Sequence, residues 1–139
     1  GLQWECETID SLEGTTAKRP ISVSTDPYDF PVVAYQFSAD PGPLLLRVAR
    51  PVASPGVDSA GNCGPANSWY CETLDGGPDH SEASSVSIDL DHFGAGYLAY
   101  HEWDSYNYRY NLKLTTIDDP IFADGLELGS TLRWSAEVP

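Results

Sequence analysis

The heptapeptide Trp-Glu-Cys-Glu-Thr-Ile-Asp at 4–10 is written again as Trp-Tyr-Cys-Glu-Thr-Leu-Asp at 69–75, identical at five of seven positions. The offset of 65 residues persists without a gap: Ile21 to Asp26 fall on Val86 to Asp91, and Ala34-Tyr35 falls on Ala99-Tyr100. One residue of slippage later, Leu46-Arg47-Val48 falls on Leu112-Lys113-Leu114, and a further step from Trp69 lands on Trp134. Self-similarity at a fixed period means that each copy is one supersecondary unit, which buries its apolar surface by stacking on a neighbour. The chain therefore reads as a single domain, residues 1–139, made of two repeats (4–68 and 69–133) with a third begun at 134–139.

The unit is built of strands. Ile21 to Thr25 alternates apolar and small polar residues, the period of two expected of a half-buried strand. Val32 to Phe37 is apolar on both parities, as expected for a strand covered on both faces. Asp26-Pro27-Tyr28-Asp29 and Asp40-Pro41-Gly42-Pro43 read as turns, because Pro pre-sets one dihedral and Asp bonds the local backbone. Leu44 to Ala49 is a third strand. The segment 50–68, rich in Pro, Gly, Ser and Asn, is a long surface connector. The second cycle gives strands at 69–74, 86–90, 96–103 and 108–116, a loop at 117–131 and a last strand at 131–138. Nowhere does an apolar stripe recur at helical spacing, so the chain reads as all-β.

The consensus Trp-x-Cys-Glu-Thr-(Ile/Leu)-Asp, then apolar-Ser-apolar-x-x-Asp, then Ala-Tyr, then Leu-(Arg/Lys)-apolar resembles the tandem repeats of secreted bacterial proteins in which each copy forms one four-stranded β-propeller blade. The resemblance implies two antiparallel units: strands 21–25, 32–37, 44–49 and 69–75, then 86–90, 96–103, 108–116 and 132–138. A face-to-face β-sandwich of the same two sheets is the alternative. Residues 2–9 are then a spare N-terminal strand. Two blades cannot close a ring of the usual four to eight. The resemblance therefore also implies assembly, as in two-blade lectins that trimerise, or donation of the spare strand to a neighbour. In place of the usual Gly at the first turn stands Asp29-Phe30.

Composition narrows the partners. With a formal net charge of −14 and Lys only at 18 and 113, the chain lacks the basic surface that nucleic acids or anionic membranes require. No run of about 18 apolar residues is present, so no membrane span is expected. The opening on a strand-like segment fits a mature secreted protein whose leader has been removed. Cys63 and Cys71 flank a short Gly-Pro-Ala-Asn-Ser loop and are placed to close a disulfide, with Cys6 unassigned, which favours an extracellular or periplasmic setting.

Enzyme signals are poor. His80, His92 and His101 lack metal-ligand spacing, and no nucleophile elbow frames a serine. The chain reads as non-catalytic, with no required cofactor. The carboxylates of Asp26 and Asp29, and of Asp89 and Asp91, occupy equivalent turns and are the candidate ligands of a structural Ca²⁺, with Asp118, Asp119, Asp124 and Glu127 clustered later. The other reading of those aspartates is turn formation. A binding surface is sought in the aromatic stretch 97–110: Glu102, Trp103, Tyr106, Asn107, Tyr108 and Arg109 combine flat rings with bidentate hydrogen-bonding groups. The expectation is an extracellular module that self-associates or docks on a larger complex through strand edges and this aromatic surface. The alternative is a two-blade carbohydrate-binding lectin, with a glycan as partner.

Overall fold

A computed structural model describes residues 3–11, 20–38, 44–75, 80–81, 85–104 and 106–117. Among the described residues there are eight strands: β1 (Ile21–Thr25), β2 (Pro31–Ser38), β3 (Leu44–Pro51), β4 (Trp69–Asp75), β5 (His80–Ser81), β6 (Val86–Leu90), β7 (Gly96–Asp104) and β8 (Arg109–Ile117). A 3₁₀ turn at Pro65–Asn67 interrupts the connector before β4. The expected last strand at 131–138, the third copy from Trp134, the late carboxylate cluster and the turn at 40–43 lie outside the described residues.

The first sheet runs β1-β2-β3-β4, all antiparallel. In the second, β7 is flanked by β8 on one edge and by β6 on the other, with the two-residue β5 continuing the β6 edge. The hydrogen-bond registers repeat with the sequence: Ile21 pairs with Tyr35 as Val86 pairs with Tyr100. Tyr35 pairs with Arg47 as Tyr100 pairs with Lys113, so the one-residue slippage falls between the second and third strands of the unit.

The hairpin turns repeat as well. The Asp26 carboxylate accepts from the N–H groups of Tyr28 and Phe30, each at 2.9 Å. The Asp91 carboxylate accepts from Phe93 at 2.8 Å and Ala95 at 3.1 Å. The chain reverses through a left-handed residue, φ 64° at Asp29 and 89° at Gly94. Asp is among the few non-glycine residues that tolerate this region, which is how the first turn manages without the glycine of the second.

The two sheets share one core. Val32, Ala34, Leu46 and Val48 of the first pack on Val86, Ile88, Leu98, Tyr100 and Ile117 of the second. These faces are not equivalent in the repeat. Positions 86, 88, 98 and 100 correspond to 21, 23, 33 and 35, which lie on the opposite face of the first sheet. The units are stacked front to back.

That opposite face of the first sheet carries a second cluster of Val33, Tyr35, Ala49, Trp69 and Cys71, joined by Ile9 and Cys63. Its cover differs from the expectation of a spare strand. Residues 3–9 adopt no strand. They contribute side chains to the sheet face instead of backbone to a sheet edge. Glu7 Oε1 accepts from Trp69 Nε1 at 2.7 Å, and Asp10 Oδ2 accepts from the Tyr35 hydroxyl at 2.7 Å and from Arg47 at 2.9 Å. Cys63 and Cys71 form a disulfide, and Cys6 is free and exposed. Asn62 clasps the backbone of Cys71 from both sides, accepting from its N–H and donating to its carbonyl. Among the described residues no helix is long and apolar enough to cross a membrane.

Candidate functional site: the outer face of the second sheet

Alternation along a strand sends successive side chains to opposite faces, and this divides the expected binding residues. In β7, Glu102 is buried, turned toward the shared-core side, where it forms an ion pair with Lys113 of β8. Trp103 is half-buried and points outward. Glu102 therefore does not join the aromatic group, whereas Trp103 does. Trp103 pairs across the strands with Tyr110, ring centroids 4.9 Å apart and tilted by 58°. The edge of Tyr108 meets it at 6.5 Å. Both geometries suit the ring quadrupoles.

The hairpin tip is set by Asp104. Its carboxylate accepts from the side chain of Asn107 at 2.7 Å and from the backbone N–H groups of Tyr106 and Asn107, each at 3.1 Å. The Asn107 side-chain bond, with the backbone bonds adding to it, holds the Asp104 carboxyl below its ordinary value. Arg109 lies 3.9 Å from the same carboxylate and is largely exposed. Tyr106 and Tyr108 project into solvent, Tyr108 from a left-handed backbone of φ 53°. Asn107 thus organises the turn, and Tyr106, Tyr108 and Arg109 form its accessible edge.

Behind this tip the outer face continues as cross-strand pairs: Trp103 with Tyr110, His101 with Leu112, Ala99 with Leu114, and Tyr97 with Thr116. Tyr97, Tyr110, Leu112 and Leu114 are all exposed. The aromatic end of this face is the surface expected from the sequence, and its aliphatic half is not among the expected binding residues. The signal was present in β8, where Tyr110, Leu112 and Leu114 alternate with Asn111, Lys113 and Thr115, a pattern that marks a buried apolar side. The structure turns that side away from the shared core.

The acidic positions are placed differently. Asp26 and Asp91 each commit Oδ1 to two turn N–H groups, and Asp26 Oδ2 accepts from the Ser54 hydroxyl at 2.6 Å. Asp29 and Asp89 are exposed. Among the described residues no three His, Cys, Asp or Glu side chains come together as a metal-binding group.

A separate cleft of about 340 Å³ opens between the sheets, lined by Arg50, Tyr70, Glu72, Asp58, Ser59 and Ile117. The Tyr35 hydroxyl, in the first sheet, is buried, and that burial together with its bond to Asp10 pushes its pKa well above the ordinary tyrosine value. It is a neutral structural donor. Set against family models, curated proteins and solved structures, the chain finds no match, so the outer face of the second sheet is judged by its own residues.

Proposed function

We propose that the protein is a non-catalytic, secreted assembly module of blade-like repeats, which works by laying the outer face of its second sheet on a protein partner. The observation that carries this is the inverted patterning of β8. An antiparallel sheet with one wet face turns its polar residues to solvent, yet here Tyr110, Leu112 and Leu114 face outward and Lys113 and Thr115 inward. Contiguous exposed apolar surface of this kind marks interaction sites. The tyrosines and Arg109 at its end belong to the residue types that dominate interface energetics. The disulfide between Cys63 and Cys71 supports an oxidising, extracellular setting.

The test is the native mass by light scattering after size exclusion, across a range of concentrations. Association beyond the 15.1 kDa monomer is expected. A particle that stays monomeric, with a purified extracellular fraction retaining nothing on the immobilised protein, removes the reading.

A second reading is supported by the cleft between the sheets, where Arg50, Tyr70, Glu72 and Asp58 offer a charged fork, a ring and two carboxylates. These suit a carbohydrate, whose hydroxyls take bidentate hydrogen bonds. On a glycan array this reading expects binding that Glu72→Gln abolishes and that Leu114→Glu leaves unchanged.

A further inference from the structure

The inverted patterning of β8 has a counterpart at the other end of the molecule. In β1, Ser22 and Ser24 face the second sheet, and the Ser22 hydroxyl accepts from the Ile88 N–H at 3.2 Å. Ile21 and Val23 point outward and are exposed. Both terminal surfaces are thus apolar where solvent calls for polar residues.

The repeat explains what each surface is shaped to meet. Val32, Ala34, Leu46 and Val48 are the residues that the first unit buries against the second. Their counterparts in the second unit are Tyr97, Ala99, Leu112 and Leu114, on its outer face. Leu46 is 3% exposed and Leu112 is 74% exposed. The reciprocal holds for the receiving surface. Val86 and Ile88, which the second unit buries against the first, correspond to Ile21 and Val23, and exposure rises from 9% at Val86 to 68% at Ile21. The presenting half of the internal interface is therefore displayed a second time, and the receiving half is displayed again as its β1 strip, since Val33 and Tyr35, the counterparts of Leu98 and Tyr100, are buried in the second cluster.

We infer that a second copy of this chain occupies the outer face of the second sheet, head to tail. Tyr97, Leu112 and Leu114 of one copy meet Ile21 and Val23 of the next, as Val32, Leu46 and Val48 share a core with Val86 and Ile88 within the chain. This inference rests on the assembly reading above and adds to it the partner and the polarity. A contact between unlike surfaces is heterologous, so an inner copy of the stack engages one neighbour at each of its two ends. Residues 3–11 already cover the Tyr35 and Trp69 side of the receiving sheet. The footprint on the next copy is therefore the β1 strip, smaller than the internal interface, and the association is reversible. Two chains of net charge −14 repel, so added salt, which screens that repulsion, strengthens it.

The test uses the whole chain and two variants, Val23→Glu at the receiving face and Leu114→Glu at the presenting face. Light scattering is expected to show wild-type association that grows with concentration and salt. Each variant alone should associate about tenfold more weakly or worse, since a carboxylate would be buried at the contact. An equimolar mixture of the two should form dimers and stop there, because each retains the face the other lacks. Association that Leu114→Glu abolishes and Val23→Glu leaves intact overturns the head-to-tail geometry and keeps the assembly reading. Wild-type protein monomeric at every concentration and salt overturns the head-to-tail inference, and it overturns the assembly reading as well only when the immobilised protein also retains nothing from the extracellular fraction. A fall of several degrees in the melting temperature of the Leu114→Glu monomer, with native circular dichroism, overturns the inference by placing another segment of the same chain on that face.

Discussion

At the level of single residues, the two repeats solve the same turn with different chemistry, and the difference is measurable. Asp29 holds the left-handed position that Gly94 holds in the second copy. Because its side chain makes none of the bonds that Asp26 supplies to that turn, Asp29→Gly should stabilise the protein by up to about 1 kcal/mol in chemical denaturation, the cost of a left-handed L-residue. Asp104 gives a pH-dependent prediction. Its folded pKa is depressed, so the support it gives the 104–109 tip is complete above the unfolded carboxylate value of about 3.9 and is lost as pH falls through the lower folded value. Asn107→Ala removes the largest cause and should move the Asp104 titration up toward the ordinary range, followed by NMR of its carboxyl carbon. The tip should then loosen at a higher pH than in the wild type. These carboxylates were legible as turn residues from their neighbours in sequence. Whether each oxygen would bond the backbone or face a cation depends on hydrogen-bond angles that composition does not carry.

Among the elements, the hairpins were the most readable part of the chain. Strands β1 to β4 and β6 to β8 follow from apolar patterning, from the repeat and from the turns between them, and Cys63 meets Cys71 as their spacing allowed. The N-terminal segment departs from the strand its sequence predicts, for a physical reason. Its Trp-x-Cys-Glu-Thr pattern matches β4, but a strand exists only where a neighbouring edge accepts its hydrogen bonds. Glu7, Ile9 and Asp10 instead find partners on the sheet face, at Trp69, the second core cluster, Tyr35 and Arg47. The connector that brings Cys63 to β4 is held by a short covalent loop. Replacing Cys63 and Cys71 together by Ser should cost about 2–3 kcal/mol, the entropy of closing a loop of this length. The melting temperature under reducing and non-reducing conditions reads this directly: the wild type should fall and the double variant should not respond. Which strand face meets which was not legible, because β2 is apolar on both.

Over the whole molecule, stability and exposed surface separate cleanly. Leu98 is wholly buried in the shared core and Leu114 lies on the outer face. In dilute monomer Leu98→Ala should cost about 2–5 kcal/mol, the usual penalty for a cavity, while Leu114→Ala should change the unfolding free energy by less than about 0.5 kcal/mol. Equal losses at the two sites, measured by denaturant titration, would mean that the outer face is covered within the chain. The front-to-back stacking of the two units also fixes how such a fold scales. Every unit added by duplication would hide one face of its neighbour and display one of its own. The apolar area left at the ends of a linear stack is then constant, the same for two units as for ten. Lengthening the chain dilutes this liability per residue without removing it, and the selective pressure to cover the two end faces is independent of how many times the sequence has been copied.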